Sequence, residues 1–448
     1  MNNKFREIPK IDKIAQDPIF EGLNQKLVLK IAKEKIEALR EALRSEKIQK
    51  INQAELLEAI KTSYHDLFAP SLKQLINASG VILHTNMGRS LISETLIERA
   101  KPTLCNYSNL EYNLKLGCRG ERYEHVSRHM IHLLGVEDVL VVNNNASAVF
   151  LILNTFAKSK EVIISRGELV EIGGSFRIPE VMSQSGAILR EVGTTNKTKL
   201  SDYNNALSDN SVMIMKVHKS NFSIEGFSEE TPYEEIQNLA QTHHLLDYYD
   251  LGSGYIPTLP YHLGQKEHSL PQILKFNPSL ISFSGDKLFG SVQAGIIAGK
   301  KEFIDKLKRN QLLRMLRVDK ITLSLLEETV KSYLKEEFED IPTLQMLFTN
   351  MDDLRVRAQK IQKSIGKEYC EVIESTTVMG GGTLPNRKFP TIALHIKGKA
   401  NDLEKRFRKQ RIIGRIENDK FLLDFRSILA RIDATLTTKT KEILSHTK

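Results

Sequence analysis

Leu280-Ile281-Ser282-Phe283-Ser284-Gly285-Asp286-Lys287 carries an apolar, β-type run into a Ser-Gly step with a lysine three residues past the serine, and Gln293-Ala294-Gly295-Ile296-Ile297-Ala298-Gly299 supplies a second strand soon after. A lysine at a strand end in a covered sheet is poorly hydrated. Desolvation or neighbouring positive charge then lowers its pKa until the amine is a usable base and nucleophile. A Schiff-base lysine is expected in this setting, and pyridoxal phosphate is the usual cofactor that requires one. Taken alone, an S-x-x-K is more often a solvated turn, and this chain has 64 lysines and arginines, so the surroundings decide.

Upstream, short β-branched runs recur: Val139 to Val142, Glu161 to Ile164, Val212 to Val217 and Leu245 to Tyr249, separated by segments long enough for helices. From about residue 89 to 300 this alternation predicts an α/β domain with a mostly parallel sheet, whose ligands lie outside the carboxyl ends of the strands. Two further candidates sit at such ends. Asn143-Asn144-Asn145-Ala146-Ser147-Ala148 follows the first run and opens a helix, where free N–H groups, the helix dipole and small side chains suit a phosphate, although an ordinary helix cap reads the same way. Asp250-Leu251-Gly252-Ser253-Gly254 follows the fourth run, placing a carboxylate where it could keep a pyridine nitrogen protonated, with Gly252 free to turn beneath a ring. The order of phosphate turn, acid and lysine, each at a strand end, is more telling than any one of them.

At 448 residues, 41% hydrophobic and 27% charged, the chain reads as a multi-domain globular protein. No uninterrupted apolar run is long enough for a membrane span, and the first residues lead into no signal core, so a cytoplasmic location is expected. Cys105, Cys118 and Cys370 are far apart and form no C-x-x-C, which points to reduced thiols. His125, His129 and His132 would share a helix face, but no carboxylate pattern accompanies them and no metal is expected. His218, after the third run, could approach a cofactor.

The formal charge of +9 is concentrated near the start. Between Asn24 and Lys50, eight basic side chains face four acidic ones, a net of +4. Val28, Ala32, Ile36, Leu39 and Leu43 fall at helical steps, so the segment predicts a helix with a basic outer face. A second helix is expected over Asn52 to Leu67, and residues 1–63 read as a small helical domain, suited to nucleic acid or to a partner helix. Residues 64–88 read as a linker, 89–330 as the large domain and 331–448 as a small α+β domain, with a helix over Leu344 to Ile365, strands at Thr391 to Ile396 and Phe421 to Phe425, and a basic helix over Asp402 to Arg411 between those strands.

At these residues the chain resembles the bacterial L-seryl-tRNA(Sec) selenium transferases, a fold-type I pyridoxal phosphate family. The resemblance is carried by the opening segment Ile76-Asn77-Ala78-Ser79-Gly80-Val81-Ile82-Leu83-His84-Thr85-Asn86-Met87-Gly88-Arg89 and by the turns at 141–149 and 250–254. It extends through the long run from Ser165 to Pro179, Glu191 to Asn196, Ser284 to Lys287, Arg314 to Lys320, and Gly380-Gly381-Gly382-Thr383-Leu384-Pro385. It implies that Lys287 binds pyridoxal 5'-phosphate covalently and moves the Cα proton. Asp250 would face the pyridine nitrogen, and Asn145, Ala146, Ser147 and Ser284 would hold the phosphate. Asp286 would assist, and Arg89, Arg314 and Arg317 would line the substrate end. It further implies seryl-tRNA(Sec) and selenophosphate as substrates, with the basic helical domain touching tRNA, and a homo-oligomer of at least two subunits, a decamer built as a pentamer of dimers. Arginines also clamp the carboxylate of free amino acids, so a lyase or transferase on a free amino acid is the alternative, and a tRNA-binding protein without catalysis is another. After the lysine the family pattern Gly-Gly-Pro-Gln-Ala-Gly is replaced by Gly290-Ser291-Val292-Gln293-Ala294-Gly295, which leaves that loop's shape open.

Overall fold

The computed structural model describes residues 8–48, 50–172, 176–224 and 226–445 and separates into two compact units, Met1–Gln74 and Leu75–Lys448. In the first unit, helix α1 (Gln25–Arg44) is capped by the Asn24 side chain and α2 (Gln53–Phe68) by Asn52. Val28, Ile31, Ala32, Ile36 and Leu43 of α1 are buried with Leu56, Ile60 and Tyr64 of α2, so the apolar stripe read from the sequence is the inner face. Lys26, Lys30 and Lys33 point outward, with no ion pair to any described residue. Helix α2 runs through residue 63 and ends at Phe68.

The second unit is built on seven strands: β1 (Asp138–Val142), β2 (Glu161–Ser165), β3 (Ile188–Val192), β4 (Ser211–Val217), β5 (Leu246–Gly252), β6 (Leu280–Ser284) and β7 (Gly295–Gly299). Their order is β1-β7-β6-β5-β4-β2-β3. β7 runs antiparallel to both neighbours and the other pairings are parallel, so the mostly parallel sheet expected from the alternation is present. Side chains alternate between two cores. Leu140, Val142, Met213, Met215 and Leu280 pack on one face with helix α4 (Asn145–Phe156), while Val139, Val141, Ile281 and Phe283 pack on the other with α3 (Glu124–Leu134) and α5 (Lys320–Leu334). Covering both faces explains the near-continuous apolar runs.

The last part of the chain forms a four-stranded antiparallel sheet of β8 (Cys370–Gly380), β9 (Thr383–Ile396), β10 (Arg415–Glu417) and β11 (Lys420–Asp424), packed on α6 (Met351–Ile365). The helix expected over Leu344 to Ile365 is instead two, Pro342–Phe348 and α6, because the side chain of Asn350 caps α6 by accepting from Asp353 N–H at 2.8 Å. Residues 75–88, part of the 64–88 segment read above as a linker, run along this sheet, where Ser79 bridges Asp424 and Leu83 bridges Gly380. Ile76 and Asn77 pair in parallel with Ile412 and Ile413, and Ser427 Oγ donates to Asn77 O and accepts from Gly80 N–H, each at 2.9 Å. Among the described residues no helix is long and apolar enough to cross a membrane.

Candidate active site

Lys287 lies just past β6, in a turn closed by Gly290 N–H donating to Lys287 O at 2.9 Å. Gly285 is required at the start of that turn, since a Cβ there would come within 2.6 Å of Val292 O. Lys287 is 4% exposed, and its Nζ makes no hydrogen bond or ion pair to any described residue. Burial holds this amine below the usual lysine pKa; Asp250 and Asp286 push it up, and the Arg89 charge pushes it down. Two glycines with left-handed backbones crowd close to it, one from each sheet: a Cβ on Gly252 would lie 4.0 Å from Nζ and one on Gly382 3.9 Å. The loop whose shape the sequence left open is fixed by Ser291, buried with its hydroxyl 2.8 Å from Thr329 Oγ1 on α5, and by Gly290, where a Cβ would meet Ile341.

Asp250 lies two residues before the end of β5, beside the same lysine. Its Oδ1 accepts from Asn145 Nδ2 at 2.7 Å and from Gly252 N–H at 2.9 Å. Burial raises its pKa, opposed by those two hydrogen bonds and by the charges of Lys287 and His218. A buried carboxylate held from one side, facing no cation in contact, is suited to a cationic ring nitrogen.

At the start of α4, Asn144 accepts from Ser147 N–H at 2.8 Å, while the amides of Asn145 and Ala146 have no acceptor within the helix. Gly295 allows β7 to pass beneath this turn, because a Cβ there would lie 2.1 Å from Asn144 O. Ser284 pairs with Gly295, which in turn pairs with Val142, so its hydroxyl sits on the strand row that ends at the helix start; it has no hydrogen bond to any described residue. These features fit pyridoxal phosphate: an amine without a partner, a fixed carboxylate, and free amides where its phosphate would lie. Ser147 N–H is taken by the cap and the Asn145 side chain is turned to Asp250, while the Ser147 hydroxyl has no hydrogen bond to any described residue.

Asp286 is held by Arg89, whose Nη1 lies 3.0 Å from Oδ2, and Ser90 N–H donates to Asp286 O at 3.3 Å. Arg314 and Arg317 line a hollow of about 220 Å³ with Glu111, Arg122 and Tyr123, and Arg317 bridges Val142 at the end of β1; no hydrogen bond or ion pair among the described residues joins them to Arg89 or Lys287. Among the histidines, His125 Nε2 meets Asn109 O at 3.2 Å and His129 lies 3.7 Å from Glu327.

The sequence set His218 within reach of a cofactor and gave Asn221, Glu267 and Gly382 no role of their own. His218 N–H donates to Asp250 O at 2.8 Å and its ring pairs with Glu267, both lining a cavity of about 290 Å³ that does not include Lys287 in its wall. Gly382 approaches the lysine from the Gly380 to Gly382 turn, and a Cβ there would also lie 3.7 Å from Asn221 Cβ; in the same turn a Cβ on Gly380 would meet Val81 and one on Gly381 would lie 2.9 Å from Leu83 O. The triple glycine was visible as a motif, but its proximity to Lys287 depends on long-range packing. Glu267 lies in a loop with no pattern to single it out.

Residues 75–429 match the family model described as "SelA: L-seryl-tRNA selenium transferase". An L-seryl-tRNA(Sec) selenium transferase of Aliarcobacter butzleri (strain RM4018) is 59% identical over 429 residues, covering 95% of each chain. The protein of the same name from Sulfurimonas denitrificans (strain ATCC 33889 / DSM 1251) is 56% identical, again over 95% of each chain. A solved structure of D-glucosaminate-6-phosphate ammonia-lyase superposes with a TM-score of 0.60 at 17% identity, covering 86% of this chain and 98% of that one, which marks a common fold. The architecture is that of the fold-type I enzymes, and the chain belongs to the L-seryl-tRNA selenium transferase family.

Proposed function

We propose that this site converts seryl-tRNA(Sec) to selenocysteinyl-tRNA(Sec) with pyridoxal 5'-phosphate as cofactor and selenophosphate as selenium donor. The observation that carries this reading is the buried, partnerless Lys287 amine beside Asp250, in a chain that aligns over 95% of its length with enzymes of that name. When bound, pyridoxal phosphate supplies an electron sink that makes the Cα–H of an attached seryl group acidic and lets its β-hydroxyl leave.

Lys287 Nζ would be the attachment point, and the same amine is the base placed to take the Cα proton. Asp250, fixed by Asn145, would hold the pyridine nitrogen in its protonated form, and the Asn145 and Ala146 amides with Ser147 and Ser284 would hold the phosphate. Gly252 and Gly382 leave room around the amine. Asp286 anchors Arg89 at the mouth of the site, and Arg89, Arg314 and Arg317 bind the selenophosphate dianion through their guanidinium forks. In seryl-tRNA the amino-acid carboxyl is esterified and uncharged, so these arginines are left for the selenium donor. Residues 1–63, with the exposed lysines of α1, contact the tRNA backbone. The working form is a homo-oligomer, at least a dimer and in full a decamer.

The test is incubation with seryl-tRNA and selenophosphate, scoring selenocysteinyl-tRNA against turnover of free serine or cysteine. Turnover of the free amino acids alone would replace this reading with that of an amino-acid lyase.

A further inference from the structure

Arg317, for which the proposed reaction has an anion-binding use, is built into a bracket whose other members have no assigned role. Its backbone is tied down from two sides. On one, Arg317 forms a bridge with Val142, and Asn143 N–H donates to Leu316 O at 3.0 Å, so the segment is joined to the strand end that opens α4. On the other, Arg122 Nη1 donates to Val318 O at 2.8 Å.

Arg122 is in turn fixed by Glu111. Its Nε and Nη2 lie 2.9 and 2.8 Å from Glu111 Oε1, and only 16% of its side chain is exposed. Glu111 is placed by a small hairpin: Gly120 N–H donates to Glu111 O at 3.0 Å, and Tyr112 pairs with Arg119. The same Oε1 faces Arg317 Nη1 at 3.6 Å, too long for a hydrogen bond but within ion-pair range. Arg119 reaches the other oxygen at 3.4 Å from a side chain that is 78% exposed, so it contributes little.

Glu111 therefore spends its short contacts on Arg122 and holds Arg317 only by charge, leaving the donors of Arg317 unspent and turned to the hollow it shares with Arg314. The hydrogen bond from Arg122, with the Arg119 and Arg317 charges adding to it, keeps this carboxyl below the usual range, so it stays ionised near neutral pH.

We infer that Glu111, braced by Arg122, is a positioning residue that presents Arg317 to the incoming selenium-donor anion. This rests on the functional reading above. A plain hairpin brace would use the same Glu111–Arg122 pair but would have no effect on anion saturation that depends on Arg317.

The experiment is steady-state kinetics at saturating seryl-tRNA with selenophosphate varied, on the full-length holoenzyme. Glu111→Gln is expected to raise the KM for selenophosphate about tenfold, the scale of a coupling between groups in contact, with kcat and the cofactor absorption retained. Glu111→Asp keeps the charge and withdraws it from Arg317; a smaller rise is expected. In the Glu111→Gln/Arg317→Ala double variant the KM should match that of Arg317→Ala alone. An unchanged or lowered KM in Glu111→Gln, or independent effects that multiply in the double variant, overturns the bracket. These results are distinct from failure of the functional reading, which would show as a wild-type holoenzyme whose turnover does not depend on selenophosphate.

Discussion

Lys287 takes its character from local order: an apolar strand, a Gly-bearing turn, then a lysine whose burial follows from the covered sheet. Lys287→Ala is expected to abolish the visible absorption of the bound cofactor; an unchanged spectrum in that variant would end the assignment of this lysine. Its pKa also gives a signed prediction. Burial and the Arg89 charge both favour the neutral amine, while Asp250 and Asp286 favour the ammonium. Arg89→Ala removes a depressing charge and frees the Asp286 carboxylate, two changes in the same direction. The Lys287 pKa must then rise, and the pH midpoint for reloading cofactor onto the apoprotein should move upward, with slower loading at neutral pH. A midpoint that moves down or stays would contradict this charge balance. What the sequence could not supply was the use of Asn145: an amide at a helix start reads as a cap or an anion ligand, and only the fold turns its Nδ2 to Asp250, 105 residues away.

At the scale of elements, the strands leading to the site were readable because burial on both faces leaves unbroken β-branched runs. β3 was not, for the opposite reason. It is an edge strand, Ile188-Leu189-Arg190-Glu191-Val192, with Ile188, Arg190 and Glu191 exposed, and its composition carries charges that a central strand would exclude. The split of the Leu344 to Ile365 helix was likewise hidden, since Asn within a helical pattern signals a cap only once the chain is seen to turn there. β7 crosses so closely under the start of α4 that Gly295→Ala should lower stability by about 1–3 kcal/mol, the usual cost of overpacking, and release cofactor faster. Thermal unfolding with and without added pyridoxal phosphate checks this: a variant with native stability and normal cofactor retention would show that the crossing has slack.

For the whole molecule, the division into Met1–Gln74 and Leu75–Lys448 separates two kinds of surface chemistry. The first unit is short and helical, and its described lysines have no ion pair to any described residue; the second holds every residue assigned to the cofactor. Removing residues 1–74 should weaken tRNA binding and flatten its salt dependence, because fewer phosphate counterions are released, while the cofactor absorption persists. Binding isotherms at two or more salt concentrations decide it, and an unaltered slope would assign the helices to another task. The alternation of strands and helices made the large domain legible as α/β. The route of residues 75–88 was not legible, because a two-residue parallel pairing with Ile412 and Ile413 leaves almost no local pattern.

That pairing has a consequence for biosynthesis. The segment that opens the second unit finds its partners at Ile412, Ile413 and Ser427, more than 330 residues later. On the ribosome, Asn77 and Gly80 must wait unpaired until nearly the whole chain has emerged, and the Gly380 to Gly382 turn that leans on Val81 and Leu83 waits with them. Lys287 is thus translated well before its surroundings can close. A chain terminated near residue 410 would contain Lys287, Asp250 and the α4 turn intact, yet would lack the last stitch that draws the two sheets together over the amine.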